Sequence, residues 1–188
     1  MPGEIWLIRH GETAWSLSGK HTSRTDLPLT ARGEQRAAEV GELLGGRPFA
    51  LVLASPLRRA LDTCRLAGYK AEVEPDLREW DYGVYEGRTT AEIQAENPGW
   101  TIWTAPAPGG ETAAAVGARA ERVIARALGA GGDVALFGHG HMLRVLAARW
   151  LGLEPASGRL LALSTGSVSV LGHEHETRVI QQWNRTPQ

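Results

Sequence analysis

A chain of 188 residues with 43% apolar and 22% charged residues has the length and balance of one globular domain, residues 1–188. A net charge of −1 gives no general attraction to nucleic acid or an anionic membrane surface, and no apolar run approaches the ~20 residues of a membrane span. The start lacks a basic-then-apolar signal region, and Cys64 is the only cysteine, so intrachain disulfides are excluded and a cytoplasmic location is expected.

Strand-like and helix-like segments then alternate. Glu4 to Ile8 reads as a short apolar strand, followed by a polar loop from Gly11 to Leu29. Thr30 suits the cap of a helix running to Leu44, with Ala37, Val40, Leu43 and Leu44 on one face and Gly45-Gly46 as its stop. Ala50 to Ala54 is a buried strand, and Ser55-Pro56 opens another helix. Ala71 to Glu74 is a further strand. Arg78 to Gly110 is irregular, with one short helix from Thr89 to Glu96. Glu111 to Leu128 is amphipathic, Asp133 to Phe137 a strand and Met142 to Leu151 a helix, before a closing pair of strands at Val168–Leu171 and Thr177–Trp183. The pattern predicts an α/β fold, a three-layer sandwich with a mainly parallel central sheet flanked by helices.

Parallel strands collect chemistry at their carboxyl ends. Arg9 and His10 fall at the end of the first strand, where a guanidinium can grip phosphate oxygens beside an imidazole. The SPLRRA stretch puts Arg58 in the first turn of a helix, and FGHGHML puts His139 and Gly140 at another strand-to-helix corner. Helix N-termini attract phosphate. In DLREWDYG, Glu79 stands among aromatic residues, where partial burial favours the protonated form needed for proton donation.

The motifs RHGET, TDLPLT, SPLRRA, LREWDYG and GHGH, in this order from Leu7 to about Leu151, resemble the histidine phosphatase superfamily with its phosphoglycerate mutase-like fold. The resemblance implies that His10 accepts the phosphoryl group and that a backbone carbonyl at the Gly11 turn fixes its other nitrogen. It implies that Arg9, Arg58 and His139 hold the oxygens, and that Glu79 protonates the leaving oxygen and then activates water. Thr13, Ser16, Thr22 and Ser23 match the family's loop over the phosphate, although any polar loop contains such residues. No metal and no cofactor is implied; the partner is a small phosphorylated substrate, with no nucleic acid and no membrane.

Ser16, where mutases of the family commonly carry asparagine, brings the chain closest to the sedoheptulose-1,7-bisphosphatase-like branch. Arg88 is the only basic residue between Trp80 and Ala118, which argues against a mutase that must bind a carboxylate. Tyr82, Tyr85, Trp100 and Trp103 instead suit the C–H faces of a sugar. The expected function is therefore a phosphomonoesterase, with phosphoglycerate mutase as the alternative. Two further readings are weaker. Zinc on the alternating pairs His139/His141 and His173/His175 would make a metal-binding hydrolase, and loss of chemistry would leave a phosphate-binding module. Trp150, Trp183 or the closing strands would supply a homodimer contact.

Overall fold

The computed structural model describes residues 3–188. Six strands form one mixed sheet in the order β3-β2-β4-β1-β5-β6. They are β1 (Ile5–Arg9), β2 (Leu51–Ala54), β3 (Glu72–Val73), β4 (Val134–Gly138), β5 (Val168–Glu174) and β6 (Thr177–Arg185). The first four run parallel, while β5 lies antiparallel to β1 and β6 antiparallel to β5. β5 and β6 are joined by the two residues His175 and Glu176, too few to cross over, so they must form a hairpin; His175 takes the left-handed conformation (φ 55°) that such a turn demands.

Helices cover both faces: α1 (Ala14–Leu17), α2 (Ala31–Leu44), α3 (Arg58–Leu66), α4 (Thr90–Glu96), α5 (Ala113–Leu128) and α6 (Gly140–Trp150). The strand period of two divides the core between them. Leu7, Leu53, Val134 and Leu136 pack with Val116, Val123, Met142 and Leu146 of α5 and α6. Their neighbours Ile8, Ala54, Ala135 and Phe137 face Val40, Leu44 and Cys64 of α2 and α3. All five residues of β4 are buried, as a central strand covered on both faces requires. No helix among the described residues is long and apolar enough to cross a membrane.

Two expectations change. The helix after Ser55-Pro56 begins at Arg58, because Ser55 accepts the Leu57 N–H (3.3 Å) and the Asp26 carboxylate, from the preceding loop, takes the Arg58 N–H (2.7 Å). Trp150 offers no dimer contact: it is 1% exposed, and its indole N–H donates to the Val179 carbonyl at 3.1 Å.

Candidate active site

Strand register brings the site together. Arg9 pairs with Gly138 across β1 and β4, and Ala54 with Phe137 across β2 and β4. His10, His139 and Ser55 therefore leave three adjacent strands at one carboxyl edge. The rings of His10 and His139 meet edge-on with centroids 5.2 Å apart. Behind them the turn at Gly11 presses on α2, where a Cβ on Gly11 would stand 2.4 Å from the Gly33 carbonyl oxygen. Only glycine permits that approach.

His10 is buried, and its Nδ1–H donates to the Gly11 carbonyl at 2.7 Å. Burial, then the charges of Arg9 and Arg59, hold its pKa well below the ordinary imidazole value. The ring is neutral near pH 7, and its single proton is placed on Nδ1, which leaves the Nε2 lone pair free. His139 is fully buried, bonded through Nε2 to the Ser55 hydroxyl at 2.7 Å. Its pKa is also held well below the usual range, by burial and then by Arg59, His10 and Arg9.

Arg58 does not join this cluster. Its side chain is 62% exposed and pairs with Asp62 at 3.1 Å. The neighbouring Arg59 is 0% exposed and donates to the carbonyls of Thr25 (3.0 Å), Ser23 (3.1 Å) and Thr22 (3.2 Å). The reason is helical phase. Buried α3 residues are Arg59, Ala60, Thr63 and Cys64, whereas Arg58, Asp62 and Arg65 share the solvent face.

Helix N-termini also serve differently than expected. The Arg58 N–H is taken by Asp26, and at α6 the N–H groups of His141 (3.0 Å) and Met142 (2.9 Å) are taken by Glu79. Glu79 is 8% exposed; its Oε1 accepts from Trp80 and Met142 N–H, its Oε2 from His141 N–H. Its hydrogen-bond partners are backbone donors, and it lines a cavity together with Tyr82. The Arg9 guanidinium donates to the Leu163 carbonyl and lies against Gly140, where a Cβ would approach its Cζ to 3.2 Å.

Three buried polar atoms in this cluster have no hydrogen-bond partner: Arg9 Nε, Arg59 Nε and His139 Nδ1. They are the buried side-chain atoms among the described residues left in this state. Such an atom costs on the order of 1–3 kcal/mol, and the three sit on residues near enough for the charges of Arg9 and Arg59 to act on His139.

The adjoining cavity, lined by Arg9 but not by Arg59 or His139, has a volume of about 240 Å³. Of the expected binding residues, Arg9, His10, Ser16, Thr22, Glu79, Tyr82 and Gly140 line it. Ser23 lies behind the wall, its N–H and hydroxyl bonded to Glu86, the hydroxyl at 2.7 Å. Sequence reasoning missed Lys20, His21, His141 and Arg144, which also line the cavity. The Tyr82 hydroxyl, its pKa pushed well above normal by burial and then Glu79, shares a hydrogen bond of 2.5 Å with His141 Nδ1. Of the other aromatic residues proposed to meet a sugar, Tyr85 and Trp100 are core, and Trp103 packs at 86° against Trp80.

The zinc reading fails on geometry: no group of three His, Cys, Asp or Glu side chains among the described residues is placed to share an ion. His139 is committed to Ser55, His141 to Tyr82, and His173 packs on Trp150 with centroids 5.1 Å apart.

Comparison with known proteins agrees with this architecture. A model of the histidine phosphatase superfamily (branch 1) matches residues 5–186. The chain is 44% identical over 179 residues to an acid phosphatase of Mycobacterium tuberculosis, covering 93% of this chain and 88% of that protein. It is 37% identical over 182 residues to the sedoheptulose 1,7-bisphosphatase of Saccharomyces cerevisiae, covering 78% and 67%. A solved structure of an open reading frame product from Mycobacterium tuberculosis superimposes with a TM-score of 0.96 at 40% identity, covering 100% of both chains. With its strand-edge imidazoles and buried arginines, the chain is an enzyme of the histidine phosphatase superfamily, branch 1.

Proposed function

We propose that the protein is a metal-independent phosphomonoesterase that passes the phosphoryl group through His10 and acts in the cytoplasm on a small phosphorylated metabolite, such as a sugar phosphate. The observation that carries this reading is the convergence of three unpartnered buried donors, on Arg9, Arg59 and His139, beside a neutral imidazole.

The chemistry follows from the atoms present. The His10 Nε2 lone pair attacks phosphorus while the ester P–O bond breaks, and the departing oxygen takes a proton from Glu79. Oε2 of Glu79 accepts one N–H, against two on Oε1, which leaves a position there for that proton. A water then attacks the phosphohistidine, Glu79 takes its proton, and the P–N pair returns to Nε2. The transferring group spreads charge over its equatorial oxygens, where prepositioned guanidinium and imidazole N–H groups act most strongly. With the Ser55 hydroxyl as donor to His139 Nε2, Nδ1 is the protonated atom and serves as an oxyanion donor.

The test is a rapid-quench reaction with radiolabelled p-nitrophenyl phosphate in excess chelator. The expected label is acid-labile, base-stable and confined to His10, and inorganic phosphate is released without added bisphosphoglycerate. Label on another residue would overturn the mechanism. Isomerised phosphoglycerate with no free phosphate would make the enzyme a mutase.

A further inference from the structure

Glu79 has to present its carboxyl at one point, yet it belongs to no helix or strand: Arg78 to Asp81 are irregular backbone. It also borders open space twice. Besides the cavity beside His10, it lines a second cavity of about 220 Å³, which Glu111 and Arg119 line and His10 does not. A side chain so placed is held less by packing than by hydrogen bonds to its own segment.

Those bonds come from one ion pair. The Arg119 guanidinium, on α5, meets Glu111 as a fork, Nε to Oε1 and one terminal nitrogen to Oε2, both at 2.8 Å. The other terminal nitrogen donates to the carbonyls of Arg78 (2.9 Å) and Asp76 (2.6 Å) and to the Met142 sulfur (3.6 Å). Glu111 Oε2 accepts the Asp81 N–H, its main-chain N–H donates to the Asp81 carbonyl, and its carbonyl takes the Trp80 indole N–H, each at 2.9 Å. The pair therefore grips the backbone on both sides of Glu79. Through Met142 it also touches the residue whose N–H donates to Glu79 Oε1.

Arg119 is buried, and a buried ion pair is a poor source of stability, since apolar residues of similar volume often serve as well or better. What the pair holds explains it better. Neither residue lines the cavity beside His10, so an effect on the reaction has to pass through Glu79.

We infer that Glu111 and Arg119 are positioning residues for the proton donor: they fix the Arg78–Asp81 backbone so that the Glu79 carboxyl meets the N–H groups of α6 and faces the departing oxygen. The inference rests on the phosphomonoesterase reading and adds to it a device outside the substrate cavity.

The test uses Arg119→Lys, Arg119→Met and the double variant Glu111→Leu with Arg119→Met, and has two readouts. The first is the kcat/KM ratio of p-nitrophenyl phosphate to n-butyl phosphate, because only the alkyl ester needs the proton. Arg119→Met should raise that ratio at least ~10-fold, part of what a proton donor contributes, and Arg119→Lys, which keeps the charge without the fork, should raise it less. The double variant leaves no lone buried charge, so it should melt at a higher temperature than Arg119→Met while its ratio stays raised. A pair that serves only the fold would recover both together. The second readout is hydrogen exchange of the His141 and Met142 amides. First-turn N–H groups have no partner within their helix, so Glu79 is what protects these two. Both should exchange at least ~10-fold faster in the double variant, while the amides of β4 keep their protection.

A wild-type ratio or unchanged exchange in the folded variants would overturn the positioning role and leave the phosphatase intact, as would recovery of the ratio along with the melting temperature. Failure of every variant to fold would assign the pair to the fold and overturn the role too. Phosphate release from neither ester by the wild type would overturn the phosphatase reading; amide exchange would then still decide whether the pair holds Glu79.

Discussion

The carboxyl edge of the sheet and the segment Arg78 to Gly110 that walls it are built on opposite terms. At the edge, buried donors on Arg9, Arg59 and His139 lack partners. In the wall, donors and acceptors answer one another. Glu86 takes the Ser23 and Thr25 N–H groups, Arg88 pairs with Glu96 at 2.6 Å, and the indole N–H groups of Trp80 and Trp100 reach the carbonyls of Glu111 and Ala105. A wall that satisfies itself contributes shape and holds the loop. An edge that does not satisfy itself contributes affinity for what is missing.

The adjacent arginines of α3 are the sharpest way to break that contrast. Arg59→Ala should lower kcat/KM by at least ~10²-fold, the scale of removing one preorganised donor at developing charge. Arg58→Ala, which breaks an exposed pair with Asp62, should stay within about 3-fold. Steady-state kinetics on p-nitrophenyl phosphate decides it, and equal losses would mean that the buried donor is structural. A smaller, substrate-dependent effect is expected at Glu79. Glu79→Gln should slow alkyl phosphates roughly 10²-fold more than p-nitrophenyl phosphate, whose leaving oxygen needs no proton. Uniform slowing would remove the proton-donor role.

The smallest effect is on pH dependence. In the proposed mechanism His10 attacks unprotonated, and its pKa in the folded protein lies well below the ordinary value near 6.5, chiefly through burial and then Arg9 and Arg59. Protonation of the free enzyme therefore begins only as pH falls beneath that range, and the acid limb of kcat/KM lies on that side of it. Arg59→Ala removes one of the charges that lower it, so the His10 titration followed by NMR should move upward. A limb at or above the ordinary imidazole range in the wild type would show that the ring is not shielded as its surroundings require.

The chain by itself determined the alternating elements, their parallel core and the placing of His10 and His139 near strand ends, since hydrophobic period and turn residues are local properties. It also carried the family motifs. Tertiary structure decided which of two consecutive arginines turns inward, because neighbours on a helix differ by about 100° and only packing against β2 and β4 fixes the phase. It placed carboxylates of Asp26 and Glu79, rather than phosphate, on the helix N-termini, over sequence separations of 32 and 62 residues. And it brought Arg144 into the cavity from a helix whose local sequence marks it only as one more surface cation. Charges act through space, and the chain's local order does not record which of them will share it.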